Sequence, residues 1–92
     1  MQFHTTMPNG QVLRLLHQAR KKGYEITAIV PPKKDKGIPL WFIMGFARGR
    51  PPEQPNIYFT GEVSHHHITW FQGEYDLTRE EATKDLIRRR QQ

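Results

Sequence analysis

The sequence predicts an α+β fold: a single small domain in which a three- to five-stranded, mainly antiparallel sheet carries an N-terminal and a C-terminal helix, in the order α-β-β-β-β-α. Three observations lead there. Apolar residues recur with helical period near the start, segments of period two rich in β-branched and aromatic residues fill the middle, and a helix-capping signature stands near the end. Ninety-two residues hold one domain, spanning 1–92, with one modest core. A chain of that size leaves roughly a third or more of its unfolded-state surface exposed.

The first helix follows from Val12, Leu15, Leu16 and Ala19, which fall at i, i+3, i+4 and i+7 and make one apolar stripe. Asn9, after Pro8, is placed to cap its start, and Gly23 supplies the left-handed residue that ends it. Its outer side carries Arg14, His17, Gln18 and Lys21, with Arg20 and Lys22 on the flanks, so the last turn is strongly cationic. Positive charge there complements the carbonyl end of the helix dipole, which accounts for Arg20, Lys21 and Lys22 without any ligand. Upstream, residues 2–7 would supply an additional short strand.

After Gly23 the period changes to two. Residues 25–30 are rich in β-branched side chains and stop at Pro31-Pro32, and the loop Lys33-Lys34-Asp35-Lys36-Gly37 leads into residues 40–47. That second strand is apolar on both faces, which predicts a central strand covered on both sides, with Trp41 and Phe46 as core rather than as stacking platforms. Arg48-Gly49-Arg50-Pro51-Pro52 then opens a loop reaching Pro55, too rich in proline for an interior strand. Residues 57–63 alternate Ile57, Phe59 and Val63 with Tyr58, Thr60 and Glu62, and residues 67–75 alternate Ile68 and Trp70 with Thr69 and Phe71. The short link through Ser64 and His65 joins these two as an antiparallel hairpin. In Thr78-Arg79-Glu80-Glu81, Thr78 and Glu81 have the spacing of a capping box, with Leu77 and Ala82 as its hydrophobic staple, so a helix runs from about residue 79. Its apolar face is narrow, mainly Ala82, Leu86 and Ile87, and it is expected to lie across the sheet on the same side as the first helix.

Charge is divided unevenly along this order. Residues 1–50 hold nine of the fourteen Lys and Arg against Glu25 and Asp35, a balance of +7, whereas residues 51–92 hold five against seven acids, a balance of −2. A cationic region of this kind concentrates phosphate ligands through its summed field before any specific contact forms. The absence of cysteine removes disulfides, thiolate nucleophiles and Cys-based zinc sites, which fits a reducing compartment. The longest apolar run, 38–47, is about half of what a membrane-spanning helix needs. With neither a charged leader nor an apolar signal core at the N-terminus, a cytoplasmic protein without a membrane partner is expected.

Chemistry is sparsely encoded. His65 and His67 would point to one side of a strand and could share an ion, but a third ligand would have to come from His4, Glu62 or Glu74, so His65-His66-His67 is read as a polar turn and no metal is expected. Ser64 is the only serine and sits in no Gly-x-Ser-x-Gly elbow, Gly-rich phosphate loops are absent, and the carboxylates Glu62, Glu74 and Asp76 have no pocket-forming context. A non-enzymatic protein with no catalytic residues and no cofactor is therefore expected.

The stretch Ile68-Thr69-Trp70-Phe71-Gln72-Gly73-Glu74-Tyr75-Asp76-Leu77-Thr78-Arg79-Glu80-Glu81-Ala82 resembles the last strand and following helix of the three-stranded DNA-binding domains of plant ethylene-response factors and integrase arm-binding modules. The resemblance rests on Trp70, Gly73, Asp76, Thr78, Glu81 and Ala82, which it implies are structural. Those families read DNA with basic and aromatic residues on the sheet, whereas residues 53–81 here hold six acids and only Arg79. The helix-strands-helix order also resembles double-stranded-RNA-binding domains, with Arg79-Glu80-Glu81-Ala82-Thr83 where those carry a lysine-rich phosphate clamp.

Charge and composition together point to a small basic nucleic-acid-binding accessory protein, DNA or RNA undecided. Its contacts would be Arg14 and Lys21 on the first helix, Lys33, Lys34 and Lys36 in one loop, Arg48 and Arg50 in another, and Arg88, Arg89 and Arg90 at the C-terminus. The alternative is a protein-binding inhibitor or adaptor of the kind phages and plasmids encode, acting on a host protein through an acidic aromatic hairpin with Tyr58, Glu62, Trp70, Glu74 and Tyr75 as hot spots.

Overall fold

A computed structural model describes residues 9–31, 40–49, 53–54, 56–64 and 70–91, and of residues 40, 64 and 70–72 the backbone only. The chain runs through α1 (Asn9–Lys21), β1 (Tyr24–Val30), β2 (Leu40–Ala47), β3 (Tyr58–Ser64), β4 (Trp70–Leu77) and α2 (Arg79–Arg90). The four strands make one antiparallel sheet in the order β1-β2-β3-β4, so every strand lies beside its neighbour in sequence. This is the α-β-β-β-β-α arrangement that the sequence predicts. The strand expected over 2–7, the Lys33 loop and His65-His66-His67 lie outside the described residues.

Local signals set the element ends. Leu15 and Ala19 are buried and Val12 and Leu16 half-buried, as the i, i+3, i+4, i+7 stripe requires. α1 includes Asn9, the residue expected to cap it, and the residues before Asn9 lie outside the described ones. Gly23 closes it with φ +88°, and the Gly23 amide donates to the Arg20 carbonyl at 3.1 Å. At α2 the capping box is complete. The Glu81 amide donates to Thr78 Oγ1 at 3.1 Å and the Thr78 amide donates to Glu81 Oε1 at 2.9 Å. Those bonds from Thr78 hold the Glu81 carboxyl below its ordinary pKa.

β2 is central, between β1 and β3, and its consecutive residues Trp41, Phe42 and Ile43 are all buried. Both of its faces are therefore covered, as its continuous apolar run implies. The helices, however, sit on opposite sides of the sheet and not on one. Phe59 and Val63 of β3 share a cluster with Leu15 and Ala19 of α1, while the intervening Thr60 and Glu62 bond to Asp85 and Arg89 of α2. Successive strand residues point to opposite faces, so α1 and α2 sandwich the sheet between them. The contact face of α2 differs from expectation for the same reason: Ala82, Asp85, Leu86 and Arg89 turn inward, and Ile87 is 51% exposed.

Antiparallel pairing places Tyr24 beside Ala47, and Tyr58 beside Leu77, at one end of the sheet, and Val30 beside Phe42 and Val63 beside Trp70 towards the other. The described flanks of the two basic loops thus stand at opposite ends. Arg48 shares its end with the C-terminus of α1, and Val30 shares the other with the C-terminus of α2, whose Arg89 reaches Glu62.

Candidate functional site

The turn that ends α1 builds the most cationic part of the described surface. Lys21 is the last helical residue, Gly23 reverses the chain, and the Arg48 amide donates to the Gly23 carbonyl at 2.8 Å. That backbone bond brings Arg48, just beyond β2, against the end of α1, so that Arg20, Lys21, Lys22 and Arg48 gather around one turn and all are exposed. The carboxylate of Glu25 lies among them. Arg20 grips Glu25 with Nε and Nη2, each at 3.1 Å from a different carboxylate oxygen. This hydrogen bonding from Arg20 lowers the Glu25 pKa against the opposing effect of burial, the field of Arg48 adds to the lowering, and Arg20 in turn is held above its ordinary value. Glu25 therefore neutralises Arg20 and leaves Lys21 and Arg48 facing solvent. Arg14 is exposed two turns back on the same outer face of α1.

The charges of α2 are arranged in the contrary sense. Asp85, 9% exposed, accepts from Thr60 Oγ1 at 2.6 Å, from Arg89 Nε at 2.7 Å and from Arg88 Nε at 3.1 Å, with a second bond from Arg88 Nη2. Arg89, 7% exposed, spans from Asp85 to Glu62, where its Nη1 lies 3.0 Å from Oε1. Burial pushes the Asp85 pKa up, but the bonds from Thr60, Arg89 and Arg88 outweigh it and hold the group at about 2. Beside this network, between β4 and α2, runs a shallow groove lined by Glu74, Leu77, Glu81, Lys84, Asp85 and Arg88. With three carboxylates against two cations it does not suit an anion.

The residues singled out from the sequence are accordingly divided. The backbone bond to Gly23 brings Arg48 to the turn that follows Lys21, and Arg14 lies on the same helix as Lys21. Arg90 is exposed on the last turn of α2, towards the opposite end. Arg88 is bound to Asp85, and Arg89 is withdrawn from solvent by Asp85 and Glu62, so its expected role as a surface phosphate contact gives way to an internal ion pair. Lys33, Lys34, Lys36 and Arg50 lie outside the described residues. Of the hairpin residues, Glu62 faces α2 and is taken by Arg89, Tyr58 is half-buried with its ring 5.9 Å from that of Phe46, and Glu74 and Tyr75 are exposed. For Trp70 the backbone alone is described, paired with Val63.

Sequence reasoning missed Thr60, Asp85 and Gly45. The only trace of the Asp85 network was the i, i+4 spacing of Asp85 and Arg89 on a helix whose apolar stripe is narrow. The signal for Gly45 was an isolated glycine inside a strand pattern, which marks a close backbone approach; a Cβ there would lie 2.1 Å from the Glu25 carbonyl oxygen and 2.8 Å from Phe59 Cε1. Among the described residues no group of three His, Asp or Glu could hold a metal ion, and no helix is long and apolar enough to cross a membrane. No protein family, curated protein or solved structure matches this chain.

Proposed function

We propose that this chain is a small non-enzymatic nucleic-acid-binding protein whose phosphate contact is the end of the molecule where α1 meets β2. One observation carries the reading: the Arg48 amide to Gly23 carbonyl bond joins two stretches of the basic N-terminal half, so exposed Lys21 and Arg48 flank one turn while Glu25 takes its hydrogen bonds from Arg20. A helix carboxyl end repels anions through its dipole, and four cations set against the Glu25 carboxylate reverse that sign locally. Arg14 extends the same charge along α1, in line with a polymer rather than a single phosphate.

The test is binding to duplex DNA, duplex RNA and single-stranded DNA across a salt series. Each phosphate neutralised contributes roughly 0.7 to 0.9 to the log-log slope, so the double variant Lys21→Ala/Arg48→Ala should flatten it by between about one and two. An unchanged slope removes this end from the mechanism. Absence of binding at low salt rejects the reading and favours a protein partner contacted through exposed Glu74 and Tyr75 on β4.

A further inference from the structure

In the sequence Tyr75 belongs to an acidic hairpin, but the fold carries it to the cationic end and onto the α1 face. Thr60 pairs with Glu74 and Tyr58 with Leu77, so two residues of β4, Tyr75 and Asp76, stand opposite Phe59 alone. This is a bulge, and Asp76 takes the left-handed conformation within it, φ +58°. Bulges re-aim side chains, and here the Tyr75 ring comes to lie 5.9 Å from that of Phe59 at an interplanar angle of 19°. It also lies 5.8 Å from the ring of Tyr24.

That last contact spans the sheet. β1 and β4 are the outermost of four strands, roughly 14 Å apart at the usual strand spacing, and their tyrosines meet only because the floor between them is low. Gly45 of β2 leaves the space that Phe59 fills, and Gly73 leaves the space beside the Tyr75 ring, where a Cβ would come to 3.1 Å of it. Phe59, 1% exposed, is closed in beneath, whereas Tyr75 remains 43% exposed. Tyr24 directly follows the Lys21-Lys22-Gly23 turn, so the shelf adjoins the cationic cluster.

Resting on the nucleic-acid reading, we infer that the ligand of this end is a single strand, with a base stacked on the outer side of Tyr75 and its phosphates held by Lys21 and Arg48. Phosphate attraction alone needs no aromatic surface. A π-face backed by two further rings beside exposed cations is the combination that single-strand binding uses, and a duplex keeps its base faces hidden.

The experiment titrates a labelled oligothymidylate and inorganic polyphosphate, and the matching DNA duplex, into the wild type and into Tyr75→Leu and Tyr75→Phe. Leucine still covers Phe59 but offers no π-face; phenylalanine keeps both. Expected are tighter binding of the single strand than of the duplex, a loss of about tenfold or more for Tyr75→Leu on oligothymidylate, unchanged polyphosphate binding, and wild-type behaviour for Tyr75→Phe. Retained polyphosphate binding also reports that Tyr75→Leu is folded. Equal affinity of wild type and Tyr75→Leu for oligothymidylate, or equal loss on oligothymidylate and polyphosphate, overturns the stacking role and leaves the phosphate-binding reading standing. If the wild type binds neither polymer, both fall.

Discussion

On the α1 face of the sheet, Leu15, Ala19, Ile26, Ile29, Ile43, Phe59 and Val63 close against one another with almost no exposed area; on the α2 face, Ala82 and Leu86 share the interface with Thr60, Glu62, Asp85 and Arg89. The first contact is non-directional and roughly proportional to the apolar area removed from water, so each residue contributes much on its own. The second is directional. Buried charges stay favourable only while every partner is in place, and removing one leaves the others desolvated and unpaired. The two faces should therefore fail in different ways.

The largest effect is expected on the polar face. Asp85→Ala strips Arg89 of its nearest carboxylate and should cost about 3–5 kcal/mol in urea unfolding. Replacing the cluster jointly, with Asp85→Leu, Arg89→Leu and Glu62→Gln, should recover most of that loss; if the joint variant is as unstable as Asp85→Ala, the charges are not coupled as described. Acid titration sharpens the same point. Asp85 is held at about 2 against an ordinary 3.8, so its contribution, on the order of 2 kcal/mol, is fully present above pH 4 and disappears as the pH falls towards 2. Asp85→Asn should lack that part of the acid dependence of the unfolding free energy.

The apolar face should instead resist additions. Gly45→Ala places a methyl against the Glu25 carbonyl and the Phe59 ring, both backed by packed neighbours, and should cost about 2–3 kcal/mol, with a shift in the near-ultraviolet signal of the Tyr24, Phe59 and Tyr75 rings. A midpoint equal to wild type would mean that β1 and β2 part easily. Smallest is the cap shared by neither face: Thr78→Ala should lower stability by about 1 kcal/mol through lost helix capping, with no change in the behaviour of Asp85.

The candidate site was half legible before the fold was known. The cationic turn at Arg20, Lys21 and Lys22 stands in one stretch of sequence, and Arg48 is visible beside a strand end. Their meeting depends on β1 and β2 pairing with Tyr24 beside Ala47, a register that no local signal names. Arg88, Arg89 and Arg90 look alike in sequence, and helical geometry separates them. Steps of about 100° turn Arg89 to the sheet and leave Arg90 outside, but only if the inward direction is known, and the single stripe of Ala82 and Leu86 defined it too loosely to include Asp85.

What the sequence determined by itself is therefore the order of the described elements and the ends that carry a local signal. The stripe from Val12 to Ala19, the left-handed Gly23, the Thr78 capping box and the apolar run of β2 act through neighbours a few residues away, where spacing alone sets the geometry. Tertiary structure decided which side of the sheet each helix covers, that Arg89 is internal, and that Tyr24 and Tyr75 meet across two intervening strands. Each of those depends on the alternation of β3, with Phe59 and Val63 to one side and Thr60 and Glu62 to the other, being matched to two different helices at once. That matching is a property of packing between distant segments, and no residue signals it in its own vicinity.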